Sequence, residues 1–100
     1  MNLNLKIDPK FYLEYLVEKR IIRNGIQYIF KFPNNYGASV VKFRGTAGYK
    51  ADKWELAVLF FHDGIWDLTY NTPITDDIVG CLTDEEVEQY LNKIMELPEA

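Results

Sequence analysis

Trp54 to Phe61 constrains the fold of this chain more than any other stretch. Seven of its eight residues are apolar and none is Gly or Pro. An apolar run of that length reads as a strand buried on both faces. The rest of the chain must then supply cover for each face.

The flanking pattern suggests how. Asp8-Pro9 is a helix start, with Asp as N-cap and Pro in the first helical position. Tyr12, Leu13, Leu16 and Val17 then recur on one helical face, predicting a helix over residues 9–19. Asn24-Gly25 is a tight-hairpin signal and favours strand on either side of it. Ile26, Tyr28, Phe30 and Phe32 alternate with polar partners, and Pro33-Asn34-Asn35 closes that strand. Tyr36 to Arg44 is the next strand, with Ala38, Val40 and Lys42 on one face and Val41 and Phe43 on the other. Gly37 inside it marks a bulge or a close backbone approach. Gly45 to Lys53 is the longest loop. After the central strand, His62-Asp63-Gly64 is a hairpin turn, and Trp66, Leu68 and Tyr70 point inward on the returning strand. Asn71 to Gly80 reads as an ordered connection with a helical turn at Thr75 to Val79.

Thr83-Asp84-Glu85-Glu86 is a capping box that opens a helix running to about Leu97. Val87, Tyr90, Leu91, Ile94 and Met95 form its apolar stripe. The order is helix, four or five antiparallel strands, helix. That predicts an α+β single domain over residues 1–100, a meander sheet covered by an N-terminal and a C-terminal helix.

Charge and cysteine content narrow the function. Residues 1–53 hold ten Lys and Arg against four acids, and residues 54–100 hold one Lys against eleven acids. Such asymmetry marks a polar protein unless the two halves interleave in space. The single Cys81 allows no internal disulfide, which suits a reducing cytosol. No secretory signal is read at Met1 to Pro9, and no apolar run approaches the roughly 20 residues that span a bilayer. A soluble cytoplasmic protein is expected.

No catalytic constellation, metal site or cofactor site is read from the residues. His62, the only histidine, reads as an exposed turn residue. Cys81 precedes a helix N-terminus, where a thiol pKa can fall, but reads as a small buried side chain. Asp76, Asp77, Asp84 and Glu85 carry enough oxygens for Mg²⁺ or Ca²⁺, yet their spacing matches no calcium loop. The same acids with Glu88 can form an anionic patch for a basic protein partner, including a surface that normally holds nucleic acid. Lys31, Lys42, Arg44, Lys50 and Lys53, interleaved with Tyr36 and Tyr49, offer the alternative of a nucleic-acid-binding strand face. An edge strand could also pair across a two-fold axis, giving a homodimer.

Three blocks carry a resemblance: Tyr36-Gly37-Ala38-Ser39-Val40-Val41, Trp54-Glu55-Leu56-Ala57-Val58, and Tyr70-Asn71-Thr72-Pro73-Ile74-Thr75-Asp76-Asp77-Ile78-Val79-Gly80. The chain resembles, over about Gly25 to Leu97, a family of small bacteriophage and prophage proteins of unknown function. It departs from their pattern at Thr46-Ala47-Gly48-Tyr49. The resemblance implies an accessory phage protein acting inside the host, by interaction with host machinery or its defences. It supplies no catalytic residues.

Overall fold

The computed structural model describes residues 3–22, 25–42, 52–74 and 78–99. Seven elements follow in order: β1 (Leu16–Ile22), β2 (Gly25–Lys31), β3 (Tyr36–Lys42), β4 (Trp54–His62), β5 (Ile65–Leu68), β6 (Val79–Leu82) and α1 (Asp84–Met95). A single turn of π-type helix, Phe11–Tyr15, precedes β1. The strands form one antiparallel sheet in the order β1-β2-β3-β4-β5. β6 shares the outer edge of β4 with β5: Leu59–His62 pairs with β5, while Trp54 and Leu56 pair with β6.

β4 is central, as its composition demands. Tyr28, Val40 and Leu56 lie side by side on one face, and so do Phe30, Ala38 and Val58. These residues join Phe11, Trp54, Leu82, Val87, Leu91 and Ile94 in one buried cluster. Burial of such side chains stabilises the fold by about 1.5–3 kcal/mol each.

The expected second covering helix is absent. The N-terminal segment is helical only over residues 9–15, which include the turn Phe11–Tyr15, and Leu16 leaves it in an extended conformation. The chain then pairs with β2 from Leu16 to Ile22, because β-branched Val17, Ile21 and Ile22 next to the hairpin favour strand over helix. The predicted helical stripe is therefore broken: Leu13 and Val17 are 84% and 55% exposed. The turn also packs on the same face as α1, with Phe11 edge-on to Phe30 and Phe32. Both covering pieces thus lie on one side of β4.

The opposite face has a smaller apolar cluster, Ile29, Leu59 and Phe61, with Trp66 packed against it. Gly37 sits there because a Cβ would lie 2.0 Å from the Phe30 carbonyl oxygen and 2.7 Å from the Phe61 ring. Close backbone approach, not a bulge, explains this glycine.

Local chemistry closes the elements where the sequence suggested. Thr83 and Glu86 form the reciprocal capping box at 3.1 and 3.0 Å. Asn34 donates to the carbonyls of Ile94, Met95 and Leu97 at 2.8, 3.3 and 3.0 Å, satisfying acceptors left open where α1 ends. Asp63 and Gly64 both have positive φ (50° and 79°), a turn matched to the strand twist of the β4–β5 hairpin. The ordered connection expected to run to Gly80 gives way at Val79 to β6. The Gly45 to Ala51 part of the long loop and the helical turn predicted from Thr75 fall outside the described residues. No helix among the described residues is long and apolar enough to cross a membrane.

Candidate functional site

The acidic residues expected to form a patch have unequal roles. Asp84 accepts a hydrogen bond from Trp54 Nε1 at 2.7 Å, tying the start of α1 to the buried indole. Glu88 accepts from the Asp8 amide at 2.6 Å and holds the N-terminal segment to the helix. Glu86 closes the capping box, and its hydrogen bonds from Thr83 hold its carboxyl below the usual range. Glu85, by contrast, is exposed. Asp76 and Asp77 lie outside the described residues, so the geometry bears on Asp84, Glu85 and Glu88 alone. Two of those three side chains have intramolecular work at the base of the helix.

A second acidic group lies on the β4–β5 hairpin. His62 Nε2 is 2.8 Å from Asp67 Oδ2, and its Nδ1 is 3.8 Å from Asp63 Oδ2. The ring also stacks on Phe60 at 5.6 Å between centroids. Hydrogen bonding to Asp67 raises the imidazole above its ordinary pKa, with smaller contributions from the Asp67 and Asp63 charges. The Asp63 and Asp67 side chains are 97% and 68% exposed. The sequence marked His62 as an exposed turn residue and its exposure agrees, but the pairing with Asp67 required the strand register.

Among the described residues, Lys31 and Lys42 are not brought together. Lys31 is opposite Gly37 and Lys42 is opposite Ile26, so the two lie at opposite ends of the β2–β3 ladder and on opposite faces. Lys31 is exposed, its Nζ 5.8 Å from the Phe61 ring centroid. Lys42 is 2% exposed, ion-paired to Asp52 at 3.0 Å and 4.1 Å from the Trp54 ring centroid. Lys53 precedes β4 and contributes to lowering the Glu86 pKa. Arg44 and Lys50 fall outside the described residues.

Cys81 corrects another expectation: it is exposed on β6, with φ at 60°, not buried under the helix. Among the described residues no group of three or more His, Cys, Asp or Glu is placed to hold a metal ion.

Sequence reasoning missed three features. An open cleft of about 370 Å³ is lined by Lys6, Tyr12, Lys19 and Tyr28 among others. Tyr12 donates to the Leu5 carbonyl and Tyr28 to the Leu3 carbonyl, and burial raises both phenols above their ordinary pKa. On the opposite face Arg20 donates to Gln27 Oε1 at 3.1 and 2.5 Å, and Gln27 donates to Ser39 at 2.9 Å. This polar ladder crosses three strands. The third feature is β1 itself, where Val17 and Ile21 (71% exposed) lie on a strand with no neighbour on its outer side among the described residues. Alternating Gln27, Ile29 and Ser39 gave some signal for the ladder. For the edge, Asn24-Gly25 favoured strand at Arg20 to Ile22, while the helical stripe through Leu16 and Val17 hid its first half.

Comparison with protein-family models, with curated proteins and with solved structures finds no match for this chain.

Proposed function

We propose that the protein is a small phage or prophage accessory protein. In this reading it acts in the host cytoplasm by binding a host or phage protein, without catalysis, through its acid-rich side. The supporting observation is the strand order. β1 to β5 lie side by side in chain order, and α1 packs on β3, β4 and β6 while the N-terminal turn packs on β1 and β2. β1 to β3 are drawn from the cation-rich part before residue 54, and β4 to β6 and α1 from the acid-rich part after it. This order favours separation of the two charge populations, with Lys53 and Glu86 at a point where they meet. A field of that kind steers a basic partner toward one side and fixes its orientation. Glu85, near the Trp54 end of β4, and the hairpin acids Asp63 and Asp67, at its other end, are exposed acids of that half. Asp84 and Glu88 add charge while holding the fold.

The nucleic-acid alternative has less support, since Lys31 and Lys42 occupy opposite faces and Lys42 is buried. The test is capture of partner proteins from host lysate by the wild type and by an Asp63→Lys, Asp67→Lys, Glu85→Lys variant. Loss of a captured protein, with capture weakening as salt rises, is expected. Unchanged capture by the charge-reversed variant overturns the acid-side reading.

A further inference from the structure

We infer that β1 is a self-pairing edge: two copies join their β1 strands antiparallel about a two-fold axis passing beside Lys19, making one continuous sheet. This surface lies across the sheet from the acid-rich side, so the inference does not rest on the proposed function.

The starting observation is exposed apolar surface on an open edge. Leu13, Val17 and Ile21 are 84%, 55% and 71% exposed, and β1 is the terminal strand of the sheet. An edge of seven residues with no strand on its outer side among the described residues is a template for another strand. Proteins that keep such an edge solitary commonly line it with lysine. Here the centre reads Glu18-Lys19-Arg20, flanked by Leu16-Val17 and Ile21-Ile22. Reversed, its central Glu18 and Arg20 complement each other.

Geometry limits the register. Beyond the irregularity between Leu16 and Glu18, Lys19 and Ile21 are opposite Tyr28 and Ile26, while Glu18 and Arg20 are opposite Ile29 and Gln27. A two-fold axis perpendicular to the sheet keeps each face on its own side. Only residues of one face can then stand opposite one another, and the axis must pass beside a residue. An axis at Glu18 sets that carboxylate against its copy. An axis at Arg20 sets two guanidiniums together and Glu18 against Ile22. An axis at Lys19 puts Glu18 opposite Arg20 of the second copy twice, and the matched ladder stops at the bulge, beyond which Leu16 lies on the opposite face from Ile22. It alone matches charge with opposite charge.

Its one unfavourable contact is Lys19 with its own copy. Each Lys19 Nζ lies 5.6 Å from its own Tyr28 ring centroid, drawn back over its own sheet. Arg20 Nε lies 3.7 Å from Glu18 Oε2 of its own chain, both side chains are about half exposed (49% and 45%), and Gln27 occupies two Arg20 donors, leaving three to reach the second copy.

The test uses the full chain with Cys81→Ser. Cα atoms directly opposite in an antiparallel pair are about 4.5–5.5 Å apart, within disulfide range. Lys19→Cys is therefore expected to give a disulfide-linked dimer on mild oxidation. Ile21→Cys places its thiols four residues out of register, about 13 Å apart along the strands, and is expected to cross-link far less. In sedimentation, Glu18→Arg or Arg20→Glu should weaken the dimer by about tenfold, and the double exchange should restore it. Circular dichroism reports that each variant is folded. A wild type that sediments as a monomer at its highest soluble concentration overturns the inference. So do equal cross-linking at 19 and 21, or a dimer indifferent to the single reversals.

Discussion

The two faces of this sheet are built on different principles. On one, fifteen residues from the N-terminal segment, β2, β3, β4, β6 and α1 form a single buried cluster. On the other, three buried residues and a half-buried Trp66 make a small apolar island beside the Arg20–Gln27–Ser39 ladder. β4 serves both, with Trp54, Leu56 and Val58 turned to the large cluster and Leu59 and Phe61 to the small one. An all-apolar strand thus does not require a helix over each face. Side chains of the sheet itself can seal one face, as Phe61 on the same strand and Ile29 and Trp66 on other strands do around Leu59.

The largest expected effect separates the two faces directly. Leu56 and Leu59 are each 0% exposed, so exposure alone ranks them equal. Truncating a buried Leu costs about 2–5 kcal/mol, and the value depends on how far the surroundings collapse into the space. Leu56→Ala, held between α1 and the sheet, is expected near the upper end of that range. Leu59→Ala, lined by side chains of the smaller cluster that can relax, is expected near the lower end. Urea unfolding of both variants checks this. Equal losses would show that the small face is packed as rigidly as the large one. Leu56→Asp is expected to abolish folding, because it buries an uncompensated carboxylate.

A smaller effect probes why the second face is tight at one point. Gly37→Ala is expected to destabilise by about 1–3 kcal/mol, as overpacking does. The new Cβ would meet both the Phe61 ring and the Phe30 carbonyl oxygen. Adding Phe61→Leu removes the ring contact and leaves the backbone contact, so it should restore only part of the loss. Full rescue in thermal melts would place the restriction in the aromatic packing.

These features were unequally legible in the sequence. The capping box at Thr83 and Glu86 declared α1, and period-two alternation declared β2 and β3, because both signals are local. Close approach at Gly37 was legible as an alternative to a bulge. The N-terminal helix failed because Tyr12, Leu13, Leu16 and Val17 satisfy a helical stripe. Pairing of Leu16–Ile22 with β2 overrides that local preference, and no short window contains the pairing. The acidic cluster was legible as composition, but not its division of labour. That Asp84 reaches the Trp54 indole, thirty residues away in the chain, follows only from α1 folding back over β4. Lys42 likewise read as part of a nucleic-acid-binding strand face and is instead buried beside Asp52 and Trp54.

The smallest expected effect lies at the end of the large face that stays in solvent. His62 shares a face of β4 with Leu56 and Val58, yet it is exposed and held by Asp67. Its pKa is raised above the ordinary 6.5 in the folded chain. A group raised on folding contributes stability that is complete below its unfolded value and is lost as the pH rises through the folded value. The wild type should therefore exceed His62→Gln in melting temperature most at about pH 5.5, with the gap closing toward about pH 8. Glu86 runs in the opposite direction, since its lowered carboxyl contributes above its ordinary 4.5 and loses that contribution as the pH falls. Adding Glu86→Gln to both chains removes that opposing slope, so the remaining difference belongs to the hairpin. A gap that does not change between the two pH values would mean that the His62–Asp67 contact is as strong with neutral imidazole as with the cation. The hairpin would then be held by the stack on Phe60 and the turn at Asp63-Gly64, not by charge.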